Sequence, residues 1–117
     1  MDYSKIKHVV NLTQHPIRVI GESGVIIIPP SGKTARLKTT SSHHGTVQGM
    51  EVSLSGDTGV LNEPERVEGT VYITSSVVAK SLRRDDVLSP DTTDGGVLRD
   101  GDGNVFAVTR LQCFTAK

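Results

Sequence analysis

The chain has 117 residues and a mass of 12.5 kDa, enough for one domain with one core and too little for two that each bury sufficient apolar surface. Lys plus Arg equals Asp plus Glu at 13 each, so the overall basic field that governs affinity for polyanions is missing and general nucleic-acid binding is not expected. One cysteine, Cys113, rules out an intrachain disulfide and a multi-cysteine zinc site and suits a reducing cytoplasm.

The composition points to β structure. Fifteen Val, seven Ile and twelve Thr stand against eight Leu and four Ala, a bias toward side chains stiff at χ1 that fit pleated sheets. Tryptophan is absent and only two Tyr and two Phe are present, so the core is expected to be aliphatic. The charge is uneven: residues 1–50 carry six basic and two acidic side chains, and residues 51–117 carry seven basic and eleven acidic. Met1 to Val10 is interrupted by Lys5, Lys7 and His8, and no later stretch reaches the roughly 18 apolar residues of a membrane span. Neither a secretion signal nor a membrane segment is expected.

In chain order, His8–Thr13 and Ile17–Ile20 read as two strands joined by a tight turn over Gln14-His15-Pro16. Glu22-Ser23-Gly24 is turn chemistry, and Val25-Ile26-Ile27-Ile28 is an apolar run of strand length stopped by Pro29-Pro30, so residues 18–28 form a predicted hairpin. Ala35–Thr39 alternates with Arg36 and Lys38 on one face, the pattern of a strand with a wet side. Ser41–Gly45 is polar, Thr46–Leu54 reads as one or two short strands around Gly49, and residues 56–65 as a loop-rich middle. Val71-Tyr72-Ile73 is the best core strand of the second half. A helix near residues 76–83 follows a serine cap, and Val97–Arg99 and Val105–Val108 frame a closing hairpin. The expected fold is mainly β, a single compact sandwich or barrel-like domain of short strands with that one short helix.

Two motif fragments fail on spacing. Ser31-Gly32-Lys33-Thr34 resembles the end of a phosphate loop, but Ile27 stands where the first glycine is needed and Pro29 and Pro30 lack N–H donors. Asp100, Asp102 and Asn104 open like a calcium loop, but Val105 and Leu111 occupy its glycine and bidentate-glutamate positions. His43 and His44, adjacent on a strand, would point to opposite faces and are read as solvated. No metal or cofactor is expected. A Ser-His-Asp set drawn from Ser75 or Ser76, His15 and Asp85 or Asp86 would lack the strained turn that exposes a nucleophilic serine. The cluster from Thr74 to Asp86 is suited to an anion, with hydroxyls at a helix start and guanidinium forks at Arg83 and Arg84. Its alternative is a capped helix with Arg84 paired to Asp85 or Asp86.

The order of Asn11-Leu12-Thr13 with His15, Pro30-Ser31-Gly32 with Ala35-Arg36, Glu63-Pro64, Gly69-Thr70 with Tyr72-Ile73 and Ser75, Val78-Ala79, Arg84 with Asp86, Arg99-Asp100 with Gly103, and Arg110 resembles a group of small, largely uncharacterised proteins of bacterial and phage genomes over nearly the whole chain. The group usually reads N-L-T-P-H where this chain has Gln14, and has valine where it has Thr74. The resemblance implies a phage or prophage context and a compact β-rich fold. The candidate ligand-binding residues are His15, Arg36, Ser75, Arg84 and Asp86, which lack a recognised catalytic arrangement but offer donors and cations to a small anionic or nucleotide-like ligand. The expectation is a non-enzymatic, cytoplasmic binding protein, in a phage setting a sponge for a nucleotide immune signal. The competing expectation is an interaction or virion module that engages a host or virion protein, or its own copies, through exposed strands.

Overall fold

The structure is a computed structural model and describes residues 1–115. Among the described residues a 3-10 turn (Tyr3–Lys5) precedes ten strands and one α-helix in chain order: β1 (His8–Asn11), β2 (Ile17–Gly21), β3 (Gly24–Ile28), β4 (Arg36–Val47), β5 (Met50–Leu61), β6 (Thr70–Ile73), α1 (Ser76–Leu82), β7 (Val87–Pro90), β8 (Val97–Arg99), β9 (Val105–Val108) and β10 (Leu111–Cys113). They make a four-stranded sheet β1-β6-β7-β10, a second β3-β2-β9-β8, and a two-stranded arm β4-β5. The fold is mainly β, as composition implies, but no barrel closes.

In the first sheet β1, β6 and β7 run parallel and β10 antiparallel. Parallel neighbours need a crossover, and α1 supplies it between β6 and β7. Every residue of β6 is buried, as expected of a strand covered on both faces. Leu12, Ala35, Tyr72 and Val78 form a core cluster, with Val10, Val60 and Leu82 packed against it. The helix falls on the predicted residues. It ends where Arg83 takes a left-handed conformation at φ 51 and its N–H donates to the Ala79 carbonyl. No helix among the described residues is long and apolar enough to cross a membrane.

The second sheet contains both predicted hairpins, β2–β3 in unbroken register from Ile17↔Ile28 to Gly21↔Gly24 and β8–β9 with one irregularity at Leu98/Arg99. The first two strands, however, part company: β1 joins one sheet and β2 the other. The turn between them therefore links sheets instead of closing a hairpin.

The middle of the chain departs furthest from expectation. Residues 36–61 form one hairpin of two 12-residue strands, turned at Gln48 and Gly49 with φ of 47 and 82, the paired left-handed geometry that a two-residue hairpin loop needs. The polar Ser41–Gly45 stretch, His43 and His44 included, and Gly56–Gly59 lie inside this ladder rather than in loops. The strand expected at residues 35–39 and those expected around Gly49 both lie in this hairpin; the wet stretches between them need no apolar alternation, so periodicity carried no signal there. Register shifts at Lys38/Thr39 and His43/Gly45 are bulges of the kind that sharpen strand twist. The arm gives the molecule extents of 55 × 39 × 31 Å and a radius of gyration of 16.8 Å, against about 13 Å for a compact chain of this length.

Candidate functional site

Asn11, the last residue of β1, is buried and organises the turn that carries His15. Its Oδ1 accepts from the Thr13 N–H at 2.9 Å and the Thr13 hydroxyl at 2.7 Å. Its amide nitrogen donates to the carbonyls of His15 at 2.8 Å and Ile28 at 3.0 Å. All its capacity is spent locally, as a buried amide requires, so the backbone at His15 is fixed to both sheets while the His15 side chain stays exposed.

Two further segments meet this turn. The Ala35 N–H donates to the Leu12 carbonyl at 3.0 Å, which buries Ala35 and sets Arg36 at the root of the arm. Thr74, buried after β6, donates its N–H to the Leu88 carbonyl at 2.8 Å and delivers Ser75 to the start of α1. Ser75 holds the capping position, yet its hydroxyl makes no capping bond, so the predicted serine cap is one of place and not of hydrogen bonding.

His15, Arg36 and Ser75 thus line one open groove of about 420 Å³. Buried Leu12, Ala35 and Val78 contribute apolar surface, and Thr13, Gln14, Thr34, Leu37 and Val77 complete the lining. No carboxylate lines it. Among the described residues Arg36 makes no ion pair. Two larger cavities differ in kind: one of about 1000 Å³ between the N-terminal segment and residues 66–69 includes Asp2, Glu68 and Asp85. Another of about 720 Å³ beside Tyr72 includes Glu63 and Glu65. Size alone would favour those, but neither gathers the sequence candidates and both place acidic groups beside their cations.

Arg84 and Asp86 are not in the groove. They lie past the far end of α1, about 10 Å along the helix from Ser75, and bind each other. Arg84 Nε donates to Asp86 Oδ1 at 2.9 Å and its Nη2 to Oδ2 at 2.7 Å, a bidentate fork. The remaining nitrogen reaches the Pro64 carbonyl at 2.7 Å and Glu63 at 3.5 Å. Asp86 is fully buried, and its hydrogen bond to Arg84 raises the guanidinium pKa further. This is the pairing that sequence reading weighed against a ligand role. Asp85 takes Arg66 instead, at 2.9 Å, and that contact holds its carboxyl below the usual range. Neither Asp85 nor Asp86 lines the groove that holds His15 and Ser75, so the three parts of a serine triad are not assembled there.

Other polar groups are used structurally. Asp91 accepts from the Thr93 N–H at 3.0 Å, the Thr93 hydroxyl at 2.6 Å and Arg110 Nε at 2.6 Å. Thr93 first, then Arg110, pulls its pKa down to about 2. Asp100 accepts from the N–H groups of Asp102 and Asn104, which makes the calcium-like run the turn of the β8–β9 hairpin. No group of three or more His, Cys, Asp or Glu poised to hold a metal occurs among the described residues. Of the groove residues, only His15, Arg36 and Ser75 were expected from the sequence; the other lining residues of the 12–15, 34–37 and 75–78 segments reach the groove only because three distant segments converge. Compared with protein-family models, with curated proteins and with solved structures, the chain matches none.

Proposed function

We propose that this chain is a non-enzymatic binding protein whose groove at His15, Arg36 and Ser75 holds a small anionic, nucleotide-like ligand. The observation that carries the reading is Arg36, without an ion pair among the described residues, beside apolar residues in a groove whose lining includes no carboxylate. Arg36 offers a planar fork to a phosphate. The Ser75 hydroxyl, free of capping duty, donates a further hydrogen bond, and His15 and Gln14 face sugar or base edges. Exposed Val77 and half-buried Leu37 offer the apolar surface that aromatic stacking platforms would otherwise supply. Arg84 and Asp86 support the frame from outside. The resemblance to phage and bacterial proteins supports a narrower form, sequestration of a nucleotide immune signal in the bacterial cytoplasm.

Native mass spectrometry of freshly purified protein, alone and with a panel of nucleotides and cyclic or ADP-ribose-derived signals, tests this. A stoichiometric adduct released with its mass unchanged is the expected result, and Arg36→Ala should weaken it about 10- to 100-fold, the worth of a charge-assisted hydrogen bond. No adduct across the panel, or release of a cleaved product, overturns the reading. The exposed apolar strand β3 favours a second reading, interaction with a protein partner. A stable partner retained by Arg36→Ala and Ser75→Ala would favour it.

A further inference from the structure

β3 has the sequence of a central strand and the position of an edge strand. Val25, Ile26, Ile27 and Ile28 alternate between the two faces of the sheet, so both faces are apolar. Such uninterrupted runs belong to strands covered on both sides. Yet β3 is at the edge of its sheet, and Val25, Ile26 and Ile27 are 57%, 54% and 56% exposed. None of the usual protections of an edge interrupts the run. It has no charge, proline or bulge between Gly24 and Ile28, whereas exposed edges are ordinarily blunted by one of these.

We infer that this edge is covered by a second copy of the same chain, β3 pairing antiparallel with β3 across a two-fold axis at Ile26 to give one continuous eight-stranded sheet. Two features select a second copy. The strand is uncharged and therefore self-complementary, as an isologous contact requires. Glu22 precedes it and Lys33 follows it, both exposed. Antiparallel pairing brings the Glu22 end of one strand to the Lys33 end of the other, whereas parallel pairing would set like charges together. Pro29 and Pro30 end the pairing, and the bridge of Pro30 to Asn11 ties that end of the strand to the first sheet. The groove residues lie off this edge, so assembly and ligand binding are separately testable.

Sedimentation velocity of the full chain across a range of concentrations gives the state of assembly, and Ile26→Lys places a charge on the axis. A dimer that becomes monomeric in Ile26→Lys, with an unchanged circular dichroism spectrum, is the expected result. Ile26→Cys in a Cys113→Ser background gives a second readout that leaves the strand apolar: mild oxidation should link two chains, and Val105→Cys, an exposed position on an interior strand away from the axis, should not. A chain that stays monomeric overturns the inference and leaves the edge to another protein's strand. A dimer that survives Ile26→Lys and gives no Ile26→Cys link also overturns it, and assigns assembly to the arm.

Discussion

Arg84 and Asp86 show why a charged pair in a sequence does not declare its task. The Asp86 carboxylate is fully buried, and its fork to Arg84 compensates the desolvation that burial imposes. Arg84→Ala removes that fork and leaves the carboxylate only the looser contact to Arg66 at 3.6 Å, and should destabilise the fold by about 3 kcal/mol, read from the shift of a urea unfolding midpoint. Gly95 and Gly96 offer a sharper contrast. A Cβ at Gly96 would come within 2.6 Å of the Asp91 backbone carbonyl oxygen, whereas one at Gly95 would meet, at 2.7 Å, the guanidinium tip of Arg110. Backbone does not give way and a flexible tip does, so thermal unfolding should fall clearly in Gly96→Ala, by about 1–3 kcal/mol, and move little in Gly95→Ala. The Asp91 carboxyl, held at about 2 by Thr93 and Arg110, contributes stability that is present above its ordinary value near 4 and is lost as pH falls through 2. An acid titration of stability should show that loss in the native chain and a reduced one in Asp91→Asn. At this scale one signal was legible but unread: Asp2–Ser4, Asn11–Thr13 and Asp91–Thr93 each place an Asx oxygen to accept from both the N–H and the hydroxyl two residues on. This is the local turn chemistry such spacing favours.

At the scale of elements, apolar runs announced themselves and the wet middle of the ribbon did not. The runs that became β3, β6 and β9, and the helix α1, follow from apolar length, β-branching and the serine before the helix. The arm has no such pattern, since beyond its root it is mostly exposed on both strands and is specified by cross-strand pairing and the Gln48-Gly49 turn. Its root is another matter, because Val60 packs on the core and Arg36 lines the groove. Deleting Ser41–Ser55 and joining Thr40 to Gly56 by Asn-Gly should therefore change the stability of the body by less than about 1 kcal/mol. Thermal unfolding of the shortened chain checks this, and a large loss would mean that the arm braces the body.

Over the whole molecule, sequence reading could not supply connectivity: that β1 and β2 belong to different sheets, or that β1 pairs with β6 across more than 60 intervening positions, is set by long-range burial and not by local pattern. The site shared this fate. His15, Arg36 and Ser75 are chemically plain when taken singly and become a groove only through the Leu12–Ala35 contact and the β6–α1 crossover, while Arg84 and Asp86 are carried to the other end of the helix. One global feature did foreshadow the electrostatics. The basic first half, with only Asp2 and Glu22 as acids, supplies residues 12–15 and 34–37 of the groove, which is why it contains a guanidinium and no carboxylate. Titration calorimetry of the native chain, Arg36→Ala and Arg83→Ala, with whichever nucleotide of the panel forms an adduct, tests the placement of the ligand most directly. The account predicts that Arg36→Ala alone loses affinity, while Arg83→Ala, an exposed arginine beyond the helix, binds as the native chain does. Equal affinity in all three, or loss in Arg83→Ala instead, would contradict it.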